Sequence, residues 1–285
     1  MRFGRVNMGR SLYFTGARPG SAGCPHLLPL QDKRVADIIR RDPPVTLRVA
    51  VAGAGRPLGM TIVHAAVARG DRVVAGVRRP EAVPALQDLA VEVGDRLAVV
   101  PFEAASEPSC EALAGVARER WGAVDLLVDA ALAAGPDTRL AEAEARRTFA
   151  GADAPEIAGL LRVNAVGPLL LARAFVPLLA RGTNPVMVIA SPWTGSIAGK
   201  SQGGDYGQCA SAAARNMVAR ALGHDLAAHG VAVVLGNPGN YKTELDGPAF
   251  LHRVEAAAEG LLALAEGARP GDVAWHDWTG TERAW

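Results

Sequence analysis

Residues Ala52-Gly53-Ala54-Gly55-Arg56-Pro57-Leu58-Gly59 form a turn of mostly small side chains between an apolar run and an amphipathic one. Glycines in such a place let the backbone turn tightly and approach a pyrophosphate at a helix N-terminus, where N–H groups and the helix dipole favour negative charge. Gly53, Gly55, Arg56, Leu58 and Gly59 are therefore candidate cofactor contacts. The next apolar run ends in Val77-Arg78-Arg79. An acidic residue there would hold a ribose 2′-hydroxyl, whereas a basic one suits a 2′-phosphate. Arg78 and Arg79, with Arg56, point to NADP(H) as the dinucleotide. Ordinary solvated arginines after a strand are the plain alternative.

Other reactive side chains give weaker signals. Cys24, Cys110 and Cys209 are an odd number at unrelated spacings, neither a disulfide framework nor a zinc site. Cys209 has no histidine positioned to activate it in sequence, and a small buried apolar role fits it better. His64, His224, His229, His252 and His276 do not fall at the i, i+4 spacing of a metal pair. No metal site is expected.

These residues need elements to hold them, and from Val45 the chain supplies a regular alternation. The runs VTLRVAVAG, RVVAGV, RLAVVPF, VDLLVDA, PVMVIAS and VAVVLGNPG read as buried strands. Between them MTIVHAAVARG, PEAVPALQDLA, SCEALAGVARERWG, a long stretch over 155–181 and another over 207–229 read as helices. Strands alternating with helices predict an α/β fold, a doubly wound parallel sheet of about seven strands covered on both faces. No internal repeat or second domain is visible.

Residues 1–44 differ. They are rich in Gly and Pro, lack periodicity, and carry eight Lys/Arg against three Asp. They read as a poorly ordered extension, or as a basic arm toward a partner, with a short helix over 31–41 stopped by Pro43-Pro44. The domain proper is expected over 45–285. The chain has 285 residues, 49% hydrophobic and 21% charged, with net charge +1. That balance gives no argument for nucleic acid or a membrane surface. No apolar run reaches the roughly 18 residues that span a bilayer. A cytoplasmic protein is expected, and the Ala, Arg and Gly bias suggests a GC-rich bacterial source.

Four stretches carry a family resemblance: RVVAGVRRPE, RVNAVGPLLLARAFVPLL, NPGNYKTEL and the tail DWTGTERAW. Together with the glycine turn they resemble the short-chain dehydrogenase/reductase family, in particular its C-factor-like and sniffer-like carbonyl reductases. The resemblance covers nearly everything after residue 45. It implies that Glu103, after the third strand, contacts adenine, and that Pro238, Gly239 and Thr243 line the nicotinamide carboxamide. It implies that Asn164 anchors a water relay and that Ser191 holds the substrate oxygen. Ser196 is a second candidate, because the loop PWTGS carries an extra residue.

The resemblance also marks departures. The family's turn is Gly-x-x-x-Gly-x-Gly, and Pro57 replaces its middle glycine, removing an N–H that could face a phosphate. Proline at the first helical position should spare the fold. The family's Asn-Asn-Ala-Gly appears as Asp129-Ala130-Ala131-Leu132. Pro57 and Leu132 are therefore expected to weaken NADP(H) binding. In the segment Gly203-Gly204-Asp205-Tyr206-Gly207-Gln208-Cys209-Ala210-Ser211-Ala212, Gln208 occupies the position of the catalytic tyrosine and Ala212 that of the lysine four residues on. Tyr206 lies two positions early, about 200° around the helix.

Three functions follow as expectations. The first is an atypical NADP(H)-dependent oxidoreductase of a carbonyl or alcohol small molecule. The second is a non-redox cyclase, dehydratase or isomerase using the same pocket. The third is a catalytically silent dimer partner or NADP sensor. A homodimer or homotetramer is expected, or a hetero-oligomer with an active relative. Substrate identity would lie in the variable segments around 132–155 and 244–255.

Overall fold

The computed structural model describes residues 46–134, 147–242 and 252–285. The N-terminal extension with its expected helix, Thr243 and much of the two variable segments lie outside the described residues.

Seven strands form one parallel sheet: β1 (Arg48–Ala52), β2 (Arg72–Val77), β3 (Leu97–Pro101), β4 (Leu126–Asp129), β5 (Val186–Ala190), β6 (Ala232–Asn237) and, last in the chain, β9 (Trp275–Asp277). Their order is β3-β2-β1-β4-β5-β6-β9. Tyr241–Lys242 (β7) and His252–Arg253 (β8) make a separate two-stranded pair. The expected doubly wound sheet is thus present. The seventh strand comes from a segment too short to read as one in sequence.

Helices cover both faces. They are α1 (Pro57–Ala68), α2 (Pro84–Val93), α3 (Glu107–Trp121), α4 (Ala154–Leu161), α5 (Gly167–Leu179), α6 (Tyr206–Ala227) and α7 (Val254–Glu266). Residues such as Val49, Val51, Val73, Leu127 and Ile189 are fully or almost fully buried because the sheet is covered on both sides. Each large apolar side chain so buried stabilises by about 1.5–3 kcal/mol. One core lies under α3, α5 and α6, with Phe175, Leu178 and Trp275; the other lies under α1 and α7, with Ile62, Leu86 and Leu261.

Helix ends follow local chemistry. Ser106 caps α3 by accepting from Ser109 N, and Asp153 caps α4 by accepting from Glu156 N. Between α4 and α5 the chain passes through one π-helical turn, Arg162–Val166. The continuous stretch Ala154–Leu179 is long and apolar enough to cross a membrane by length and composition. Here α5 buries Leu171, Phe175, Leu178 and Leu179 in the protein core, which accounts for its apolar character.

Candidate active site

In a parallel sheet, the C-terminal strand ends gather at one edge, and the order reverses between β1 and β4. The glycine turn sits at that reversal. Gly53 N and Ala54 N both donate to Gly76 O, at 3.0 and 2.9 Å, so the turn is laid against β2. Gly53 has φ +85°, and a Cβ there would stand 2.7 Å from Ala131 N at the end of β4. A Cβ on Gly59 would stand 2.4 Å from Gly53 O. These two positions require glycine, and their cradle is what a dinucleotide phosphate needs. Gly55 is exposed, and a Cβ on it would meet Val77 at 2.9 Å.

Pro57 takes the first position of α1, as expected. Leu58 is buried beneath the turn. The N–H groups of Leu58 and Gly59 belong to the first helical turn, which lacks intrahelical acceptors. Arg56, Arg78 and Arg79 are exposed around the same edge. Glu103 is exposed just after β3, its N–H donating to Ser109 Oγ at 2.7 Å. After β6, Gly239 takes φ +69° and its N–H donates to Asn237 Oδ1, while Pro238 is buried. Leu132 is half-buried, one residue past the contact that Gly53 makes.

Asn164 lies in the π turn and is fully buried. Its Oδ1 accepts from Ala133 N at 2.8 Å; its Nδ2 donates to Ala133 O at 2.9 Å and to Ser211 Oγ at 3.0 Å. Its backbone carbonyl accepts from Arg215 Nη1 at 3.3 Å. Its side chain thus sews the end of β4 to α6, and its carbonyl is engaged by Arg215. Ser191 is also fully buried, and its Oγ donates to Asn216 Oδ1 at 2.6 Å. Ser196 Oγ donates to Ala284 O at 2.7 Å, which ties it to the tail. Either hydroxyl would have to leave its partner before it could hold a substrate oxygen.

Gln208 is half-buried near the start of α6, and its Oε1 is buried without a hydrogen-bond partner among the described residues. Ala212 follows one turn later and is fully buried. Tyr206, the first residue of α6, faces outward at 42% exposure and meets exposed Phe149 edge-on. Cys209 is half-buried, with Lys200 Nζ 3.4 Å from its Sγ. Burial pushes the Cys110 thiol in α3 up to about 12, so it is inert. Among the described residues, no His, Cys, Asp and Glu cluster could hold a metal ion.

Three residues at this edge were not singled out from sequence. Asn237 Oδ1 accepts from Trp193 N as well as Gly239 N, joining the loops after β5 and β6. Thr194 carries a buried hydroxyl without a partner among the described residues, in the loop with the extra residue. Arg215 is the largest surprise. It is fully buried on α6, and its Nη2 stands 2.8 Å from Asp129 Oδ2. Its Nε donates to Ala190 O at 2.7 Å, Nη1 to Ala131 O and Asn164 O at 3.3 Å each, and Nη2 to Asp129 O at 3.1 Å. Burial pushes the Asp129 carboxyl above the usual carboxylate range, and Arg215 and the Ala131 N–H pull it partly back.

A family model described as short chain dehydrogenase matches residues 48–253. C-signal of Myxococcus xanthus is 31% identical over 134 residues, covering 47% of this chain and 81% of that protein. NADPH-bound carbonyl reductase from chicken fatty liver superposes with TM-score 0.73 at 25% identity, over 84% of this chain and 99% of that one. A carbonyl reductase from Pseudomonas aeruginosa PAO1 in complex with NADP gives TM-score 0.70 at 30% identity, over 85% and 100%.

Proposed function

This chain belongs to the short-chain dehydrogenase family, and from that premise we propose that it is an NADP(H)-dependent oxidoreductase of a carbonyl or alcohol small molecule that works without the usual proton-transfer pair. The observation that carries this reading is the close-packed turn in which Gly53 and Gly59 admit no side chain, flanked by exposed Arg56, Arg78 and Arg79. The NADP-bound carbonyl reductases among its structural relatives support the same choice of cofactor.

When bound, the cofactor would supply or accept a hydride. The chain's own residues do the rest. The Gly53–Gly59 turn would hold the pyrophosphate at the N-terminus of α1. Arg78 and Arg79 would pair with the 2′-phosphate as charge-assisted donors. The Gln208 carboxamide stands in place of a proton donor. Its Nε2 can donate a hydrogen bond to a substrate oxygen and polarise it, but it has no proton to give up at ordinary pH. The proton then comes from solvent, and the loss of a positioned acid lowers the rate about 10²–10⁴-fold.

NADPH oxidation across aldehydes, ketones and quinones tests this. Slow, cofactor-dependent turnover is expected, nearly flat from about pH 6 to about pH 9 because no side chain titrates in the transfer. A bell-shaped profile, or no turnover by folded protein with NADPH bound, would count against it. The engaged states of Asn164 and Ser191 favour a second reading, a silent NADP sensor, and that second outcome would support it.

A further inference from the structure

A lone guanidinium taken fully out of water is prohibitively costly, so a buried arginine must be paired and its N–H groups satisfied. Arg215 is paired with the Asp129 carboxylate, and its guanidinium donates to four backbone carbonyls, those of Asp129, Ala131, Asn164 and Ala190. These acceptors come from the ends of β4 and β5 and from the π turn, so one side chain of α6 cross-links all three.

The pairing explains a departure that otherwise looks like decay. At position 129 the family pattern has asparagine, and this chain has aspartate. A neutral amide there would leave Arg215 without a counter-charge in a dry interior. The aspartate at 129 thus supplies the counter-charge beside Arg215.

The same pair bears on the missing lysine. Arg215 lies three residues after Ala212 and about two turns after Gln208, on one face of α6. Helical side chains lean toward the N-terminus, so the guanidinium lies over the turn containing Ser211 and Ala212. Its neighbour Asn164 reaches Ser211 Oγ, which places the cluster beside that turn. A lysine at 212, three residues before Arg215 on the same face, would bring a second cation toward a guanidinium whose carboxylate partner among the described residues is Asp129.

We propose that Arg215, paired with Asp129, is the positioning residue of this site, and that the pair excludes a lysine from position 212. It holds the carbonyl of Asn164 and the ends of β4 and β5. The proposal rests on the family reading of position 212, and its folding test needs no substrate, so it can fail independently of the proposed reaction.

The test is a cycle of variants followed by thermal unfolding. Arg215→Leu and Asp129→Asn should each lower Tm on the order of 10 °C, because each strands a buried partner. The double variant should recover at least half of the larger loss. Ala212→Lys should lower Tm in both backgrounds, because the position is fully buried, and by more in the wild type than in the double. A readout that packing alone would not move is NADPH-dependent carbonyl reduction by Gln208→Tyr/Ala212→Lys, expected at least about tenfold faster in the charge-free background. Strictly additive losses, a double variant that fails to fold, or a lysine at 212 tolerated equally in both backgrounds would overturn the proposal.

Discussion

Gly53 is the residue at which backbone geometry and cofactor chemistry meet. Its φ of +85° and its approach to the Ala131 backbone mean that no side chain fits there. Gly53→Ala should lose more than about 2 kcal/mol of stability in denaturant unfolding, from strain plus a backbone clash. Gly70→Ala is the control. Gly70 has φ +93° but open space around it, so only the conformational cost of about 1 kcal/mol applies. Equal losses would show that the contact with β4 is unimportant. At this scale, sequence offers candidate site positions but not the contacts their side chains make. Gln208 and Ala212 were legible because Gly203-Gly204 and Ala213-Ala214-Arg215-Asn216-Met217 pin the register on both sides. Arg215 lies inside that flank, yet an arginine on a helix reads as a solvated residue, and only its burial reveals the pair with Asp129. Likewise, nothing in the order of residues shows that Ser191 is bonded to Asn216.

Among the elements, strand ends do the positioning, and the opposite edge of the sheet anchors them. Asp125, just before β4, accepts from Arg48 N, Nε and Nη2 and from Thr183 N, joining β1, β4 and the approach to β5. Burial alone would raise the Asp125 carboxyl, but the hydrogen bonds from Arg48 and Thr183 outweigh it and hold it below the usual carboxylate range. The folded value is therefore lower than the unfolded one. The stability this group contributes is fully present above about pH 4 and is lost as pH falls through the folded value. Asp125→Asn should cost about 2 kcal/mol at neutral pH, and the gap from wild type should narrow in acid; urea unfolding at several pH values checks both. A gap constant with pH would contradict the ion-pair account. The strands and helices were legible from their alternation of apolar runs and periodic stretches. The π turn at Asn164 was not, because a one-residue change in helical register leaves no compositional mark.

For the molecule as a whole, the sheet order reverses between β1 and β4 within the family match, and the proposed cofactor site lies at that reversal. The arginines near the turn were legible as a choice between dinucleotides because they follow strand ends, where a 2′-substituent lies. The exposed edge formed by Arg56, Arg78 and Arg79 then carries the central claim that this scaffold retains NADP(H) although the tyrosine and lysine are gone. Titration of the folded protein with NADPH and with NADH, followed by calorimetry, tests it most directly. Saturable NADPH binding at least about tenfold tighter than NADH binding is expected, with the preference lost in Arg78→Glu/Arg79→Glu. Folded protein that binds neither dinucleotide, or that binds NADH as tightly as NADPH, would contradict it.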